Sequence, residues 1–281
     1  MTPKIYRAID VSSYQTAMPW GILMSNGVCD IAIIKGGQGQ YTRDHVNQAR
    51  AAGIKIIMLY FWADPTITAF YQILVASNDI KEHLPDAVWI DSEQWWADWS
   101  QYWEFLAGKR TLANMLIKSP QSISDNSLAI LNGLRTNFPS LPLGDYSADW
   151  FVRGWAQPMS TWLRNWWFWV AAYRDYGQAT FKTTYDFIKS VPLDTESPLL
   201  PSGVTEYAMW QYSSRMIYPD QAYPFDSNVL NMNSADFLKA IGLDNTVPPV
   251  DPNIDELKAE IVRLQSVITS WEMWHSLAPV E

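Results

Sequence analysis

The chain has 281 residues, 48% hydrophobic and only 17% charged, which is enough apolar mass for one large α/β barrel or two small domains and too little charge for a disordered chain. Its net charge of −9, from 29 acids against 20 bases, argues against nucleic acid as a partner and supplies no basic patch for anionic lipid or a polyanionic wall polymer. The single cysteine, Cys29, excludes an intrachain disulfide and a thiolate metal site, and His45, His83 and His275 lack ligand spacing, so neither metal nor cofactor is expected.

The chain opens Met1-Thr2-Pro3-Lys4-Ile5-Tyr6, without the apolar core of a signal peptide. It contains no run of roughly 18 apolar residues, so no membrane span is expected. These features predict synthesis in the cytoplasm and, if the target lies outside, release by another agent. Strand-like and helix-like segments then alternate. Ala8-Ile9-Asp10-Val11 is a short apolar strand carrying an acid, and Ile31 to Lys35 is a β-branched second strand bounded by Gly36-Gly37. An Ala-rich helix from about Asp44 to Ala52 is closed by Gly53 in a C-cap position. Ile54 to Phe61 reads as a third strand, Ile67 to Glu82 as a helix and Ala87 to Ile90 as a fourth strand.

That fourth strand runs into Asp91-Ser92-Glu93. In extended chain, acids at i and i+2 share a face. At the C-terminal end of a barrel strand that face points into the mouth, where a carboxylate pair can protonate a leaving oxygen and support charge at the reacting carbon of a glycosidic bond. Taken alone, the pair reads equally as a strand-to-loop turn with two solvated acids. The next segment, Gln94 to Phe105, is crowded with rings and is expected as a loop and short helix over the barrel mouth. The spacing of Trp95, Trp96, Trp99 and Trp103 suggests a buried helix face, with direct sugar contact as the alternative. The chain as a whole carries 16 Trp and 14 Tyr, which suits both a ring-heavy core and a cleft lined with flat surfaces for the apolar faces of sugars.

A helix from about Ser122 to Asn137 leads to a fifth strand at Leu141 to Ser147. Trp166 to Tyr173 is a sixth and Glu206 to Tyr212 a seventh, and Phe225 to Leu230 runs back into the barrel beside the first strand. This alternation implies parallel strands with helical crossovers, an α/β fold of TIM-like (β/α) barrel type. The stretch Val247-Pro248-Pro249-Val250-Asp251-Pro252 (247–252) is a linker by composition, which leaves residues 1–246 for the barrel. Residues 253–277 carry apolar positions at Ile254, Leu257, Ile261, Leu264, Ile268 and Trp271, an a/d pattern that either forms a homo-oligomeric coiled coil or folds back as a short C-terminal helix.

Asp10, Asp91, Glu93 and Asp226 all stand at or near strand ends, and strand ends of a (β/α) barrel converge on one face. Clustered, partly buried carboxylates repel and raise one another's pKa, which separates an ionised group from a protonated acid catalyst. Individually, Asp10 could instead cap a helix and Asp226 sit in a turn. Lys35 could pair structurally with an acid. On the seventh strand Trp210 and Tyr212 alternate with Gln211, so one set faces inward and the other faces the helices.

Beyond these patterns, the chain resembles the family 25 glycoside hydrolases, muramidase-type lysozymes of bacteria and their phages. The likeness rests on Ile9-Asp10-Val11-Ser12-Ser13-Tyr14-Gln15 with Pro19-Trp20; on Ala32-Ile33-Ile34-Lys35; on Ala51-Ala52-Gly53-Ile54-Lys55 with Tyr60-Phe61; and on Ile90-Asp91-Ser92-Glu93. It continues through Trp169-Val170-Ala171-Ala172-Tyr173, Trp210-Gln211-Tyr212-Ser213-Ser214 and Phe225-Asp226-Ser227-Asn228. It implies an irregular, flattened barrel and cleavage of the β-1,4 bond between N-acetylmuramic acid and N-acetylglucosamine in bacterial peptidoglycan. It further implies Glu93 as general acid/base, Asp91 in support of the substrate's 2-acetamido group or of the oxocarbenium, and Asp10 and Asp226 as positioning and tuning groups. Tyr60, Trp62, Tyr146, Tyr173 and Trp210 would serve as sugar platforms, with Gln211 and Lys35 as further substrate contacts. A phage endolysin freed by a holin would fit the absent leader. A barrel that binds glycan without cutting it, and a glycosidase for another N-acetylated polysaccharide, are the competing readings. Gly36-Gly37-Gln38-Gly39 departs from the family pattern, as does Trp62 after Tyr60-Phe61. The Trp-rich stretch and the connection from Asp175 to Thr205 look like insertions.

Overall fold

A computed structural model describes residues 5–174, 181–190, 197–219, 221 and 224–243. Met1–Gly242 forms one compact unit, and the following concerns that unit alone. The linker and the amphipathic segment 253–277, with its oligomerisation or packing role, lie outside the described residues.

Nine strands occur at Arg7–Val11 (β1), Ile31–Lys35 (β2), Ile56–Trp62 (β3), Ala87–Asp91 (β4), Leu143–Ser147 (β5), Trp167–Ala171 (β6), Phe181–Lys182 (β7), Met209–Ile217 (β8) and Phe225–Leu230 (β9). β1 to β6 pair in order and in parallel, β6 pairs in parallel with β8, and β9 closes the ring between β8 and β1. The result is a closed eight-stranded α/β barrel, with β7 added at the far end of β8. Most barrel strands are buried on both faces, as expected when side chains fill the lumen on one side and helices cover the other.

Parallel order fails at one place. β9 is antiparallel to both neighbours. Only seven residues separate Ile217 from Phe225, too few for a parallel crossover, so the chain returns in the opposite direction. The seventh predicted strand is also longer than expected and later in the chain. It begins at Met209 and extends to Ile217 because its far half pairs with β7 and with Phe225 of β9.

The helices that frame the site are Gln40–Ala51 (α2, after the short α1 at Trp20–Ser25), Ala69–His83 (α3), Trp99–Leu106 (α4), Pro120–Asn137 (α5), Asp149–Trp155 (α6), Tyr185–Ser190 (α7) and Ala235–Ala240 (α8). Their ends carry local signals. Gly53 takes a φ of 93° just beyond α2 and its N–H returns to Arg50 O, the left-handed termination expected of glycine. Thr68 and Ser119 cap α3 and α5 through their hydroxyls. The ring-rich insert behaves differently from the prediction. Trp95 and Trp96 are buried, but both precede α4 in extended chain, where Trp96 bridges to Ile117. The helix itself has no buried residue, and Trp99 and Trp103 stay exposed. Helical spacing was read across a segment that is only helical from Trp99 onward. Among the described residues no helix is long and apolar enough to cross a membrane.

Large rings fill the lumen below the mouth. Trp89 on β4 and Trp169 on β6 are fully buried and meet at 5.9 Å, and Phe237 of α8 reaches both Trp89 (5.5 Å) and Trp167 (5.3 Å). Gly144 on β5 makes room for this packing. A Cβ there would lie 2.4 Å from both the Trp167 carbonyl oxygen and the Trp89 ring. Neither obstacle is the far end of a flexible chain, so Gly144→Ala is expected to cost about 2–3 kcal/mol through overpacking. Gly154, inside α6 with open space at its Cβ, is the contrasting case. Gly154→Ala should add roughly 0.5–1 kcal/mol by helix propensity. Urea unfolding of the two variants against the parent measures both values, and equal effects would refute the packing argument.

Candidate active site

Asp10 sits near the mouth end of β1. Because β9 runs the other way, its first residues rather than its last lie at the mouth, and Asp226 stands directly across from Asp10 in the strand register. The Asp10 and Asp226 side chains share a hydrogen bond. Asp10 Oδ2 also accepts from Asn228 Nδ2 at 2.7 Å and Gln211 Nε2 at 3.0 Å. Both amides are turned toward it by their other ends. Trp169 Nε1 donates to Asn228 Oδ1 at 2.9 Å, and the hydroxyls of Tyr146 and Tyr173 donate to Gln211 Oε1 at 2.7 and 2.8 Å. An amide whose oxygen is taken by donors can offer only N–H to Asp10, so five side chains converge on one carboxylate.

The acids at 91 and 93 come from β4 and the residues just beyond it. Ser92 lies between them and is held on every side. Its N–H donates to Tyr146 O at 2.9 Å, and its carbonyl accepts from Ser147 Oγ at 2.9 Å. Its hydroxyl lies within hydrogen-bond distance of Asp145 Oδ2 (2.8 Å) and Ser127 Oγ (2.7 Å). With Ser92 facing α5, its two neighbours face the lumen. Asp91 is 4% exposed, and its Oδ1 has no hydrogen-bond partner among the described residues. Lys35 Nζ stands 5.7 Å from the Tyr60 ring centre and 5.0 Å from that of Trp62, in cation–π contact rather than in the acid pairing the sequence allowed.

Burial dominates the electrostatics. It raises the Glu93 carboxyl to about 7, helped by the negative charge of Asp10 and opposed by Lys35. Burial and then the Glu93 charge push Asp91 well above the carboxylate range, again against Lys35. Burial also lifts Asp10, but its amide hydrogen bonds hold it down, while Asp226 is driven higher by burial and by Asp10. The two carboxyls titrate as a pair, and the balance favours Asp226 as the partner that holds the proton.

All ten of Asp10, Lys35, Tyr60, Trp62, Asp91, Glu93, Tyr146, Tyr173, Gln211 and Asp226 line one cavity of about 250 Å³. Trp210 does not. It is 3% exposed, donates its ring N–H to Ala172 O, and forms part of the wall of a neighbouring cavity of about 650 Å³. Glu93 lines both cavities, and the larger one adds Trp150 and Arg153 of α6. Among the described residues no group of three His, Cys, Asp or Glu is arranged to hold a metal ion.

Sequence reasoning missed Asn228, Gln94, Asp64 and Asp145. Asn228 carried the same i, i+2 signal relative to Asp226 that flagged Asp91 and Glu93. Gln94 and Asp64 left no such signal, because Gln94 Nε2 reaches Asp64 Oδ1 (3.0 Å) only through the fold. Asp145 points away from the cavity toward Ser92, where burial raises its pKa well above the ordinary value.

The family model described as Glycosyl hydrolases family 25 matches residues 9–221. No curated protein matches the sequence. Among solved structures, the chain is similar to the CTP1L endolysin (TM-score 0.56, 19% identity, covering 84% of this chain and 69% of that one). It is also similar to the bacterial lysozyme from Streptomyces coelicolor (TM-score 0.57, 16% identity, 87% and 99%) and to the family GH25 lysozyme from Aspergillus fumigatus (TM-score 0.58, 14% identity, 84% and 99%). At these identities the structures show a common fold. The match over residues 9–221 places the chain in glycosyl hydrolase family 25, and the protein is a glycoside hydrolase.

The raised Glu93 carboxyl has a cost that can be measured. The folded protein keeps a proton that the unfolded chain releases above about pH 4.5, so stability contributed by this group is present at low pH and lost as pH rises toward 7. Glu93→Gln removes that dependence. Its stability relative to the parent should be on the order of 1–3 kcal/mol more favourable at pH 8 than at pH 4. Equal differences at the two pH values in urea titrations would contradict a protonated, buried Glu93.

Proposed function

We propose that this glycoside hydrolase cleaves the β-1,4 bond between N-acetylmuramic acid and N-acetylglucosamine of peptidoglycan, with Glu93 as general acid/base and the substrate's 2-acetamido group as internal nucleophile. The observation that carries the reading is the division of labour at the end of β4. Glu93 holds a proton to about pH 7 and faces both cavities. Asp91, two residues earlier, presents a buried oxygen with no partner among the described residues. A buried acceptor left unpaired calls for a functional explanation, and the N–H of a 2-acetamido group is a donor of the right kind.

In the first step the acetamido oxygen attacks the anomeric carbon as the glycosidic bond breaks, and Glu93 gives its proton to the departing oxygen. Asp91 accepts the acetamido N–H through its unpartnered Oδ1 and orients the group for attack. In the second step Glu93, now a carboxylate, takes a proton from water as the water oxygen attacks the anomeric carbon and the acetamido group is released. Two inversions give retention without a protein nucleophile. Asp10, fixed by its five-residue network, holds a negative charge beside Glu93 and keeps the acid protonated. The rings of Tyr60, Trp62, Tyr146 and Tyr173 offer flat contacts to the sugars. The family and the likeness to endolysin and lysozyme folds support a wall-degrading role, reached after release from the producing cell.

Purified peptidoglycan digested by the parent and then reduced with borohydride should yield muropeptides with new muramitol ends by mass spectrometry. Glu93→Gln should lower kcat by roughly 10²–10⁴. Absence of such ends from several wall types would overturn the assignment. A second measurement tests the electrostatics. The Asp10 charge raises Glu93, so Asp10→Asn should move the alkaline limb of the kcat/KM profile to lower pH, beyond any loss of rate.

A further inference from the structure

We propose that Trp99 and Trp103 of α4 extend the active site into an aromatic track that binds the uncharged backbone of the glycan strand beyond the scissile bond. This rests on the hydrolase reading above and adds a binding surface to it. The track begins inside the acid-lined cavity at Trp62. Trp99 follows at a ring-centre distance of 6.1 Å and a tilt of 43°, and Trp103 follows Trp99 at 6.3 Å and 31°. Trp99 is 39% and Trp103 56% exposed, on a helix with no buried residue of its own that packs on Trp95 and Trp96 through Tyr102 and Phe105. Among the described residues the Trp103 ring meets only Trp99 and Tyr102 of its own helix, so it adds little to that packing and its exposure needs another explanation.

The rings are also held in place. Trp99 Nε1 donates to Asp64 Oδ2 at 3.2 Å, and the other oxygen of Asp64 accepts from Gln94, the residue after Glu93. Gln94 Oε1 in turn accepts from Trp62 Nε1 at 2.7 Å. The first two rings of the track are therefore tied by their polar edges to the backbone that carries the acid, leaving the Trp99 face to solvent. α4 is fixed by a stack of Tyr102 on Trp96 (3.6 Å, 5°), by the Asp98 cap and by the Arg110–Glu104 pair at 2.7 Å. Its one charged residue, Glu104, is engaged in that pair, so the helix itself presents no unpaired charge. Fixed flat rings with polar edges, continuous with the catalytic cavity, fit the alternating apolar faces and hydroxyls of N-acetylated sugars. The exposed Leu106 and Leu116 of the same insert make a lipid surface the competing occupant.

The full chain and its Trp103→Ala variant would be compared on glycan strands stripped of stem peptides, as tetrasaccharides and as long chains. The half-saturating concentration for long chains should rise about tenfold, the loss expected for one truncated aromatic anchor, while tetrasaccharide turnover stays within about twofold. Equal losses at both lengths, or none at either, would overturn the track. So would loss of binding to phosphatidylglycerol vesicles with long-strand cleavage intact. Trp103→Phe should recover most of the long-chain effect. Should the parent cleave nothing, the hydrolase reading fails. Retention of long strands by Glu93→Gln, lost in the Glu93→Gln/Trp103→Ala double variant, would then still support the track, and unchanged retention would overturn it.

Discussion

The mouth of this barrel is organised by the need to bury one carboxylate. Asp10 is 5% exposed, and a charge at that depth is tolerable only with donors on it. Two of the three come from β8 and β9 as Gln211 and Asn228, and the third is the proton on Asp226. Each amide is aimed by rings on β5, β6 or the chain just after β6. The antiparallel course of β9 follows from the same need. Only a strand entering at the mouth places Asp226 opposite Asp10 and Asn228 one pleat further in. The irregular closure of the barrel and the chemistry of its mouth are one arrangement.

What satisfies Asp10 is withheld from Asp91 and Glu93. These two face the same lumen, above the indoles of Trp89 and Trp169, with a cation held at ring distance and, among the described residues, no donor on Asp91 Oδ1. Their pKa values rise where that of Asp10 is restrained. The difference between an acid that keeps its proton and a carboxylate that anchors its neighbours is thus made by hydrogen-bond supply rather than by depth. The cost falls on stability at neutral pH, offset by ring packing that Gly144 permits and by the clamp on Ser92.

Much of this was legible in the sequence where the signal is local. Short apolar runs located β1, β2 and β4 to within a residue or two, and Gly53 marked the end of α2. Ten of the expected site residues share the acid-lined cavity, eight of them from the family motifs and two, Trp62 and Tyr146, from outside them. The reading weakened where the fold, not the segment, decides. The pairing of Phe225 to Leu230 with the first strand was legible but its direction was not, because nothing in the segment encodes direction, which depends on the short connection before it. The Trp-rich insert was read as a buried helix face because four rings at helical spacing look alike whether or not the first two are helical. Asp64 and Gln94 carry no pattern at all, since their partners are 30 residues apart.

The Asp64–Gln94 bridge also explains how a large insert could be accommodated without disturbing the acid pair. Trp95, Trp96 and α4 leave the barrel immediately after Glu93, a position where any strain in the following chain would be transmitted to the Glu93 side chain. The bridge intercepts it. Gln94 is pinned to the loop after β3 by Asp64 and to Trp62 by its carbonyl oxygen, and Ser92 is pinned to β5 and α5. Glu93 is held between two fixed residues while everything beyond Gln94 can vary in length and composition. A site built this way separates the demand for a precisely placed acid from the demand for a particular sugar-facing surface, so the second can change while the first is kept.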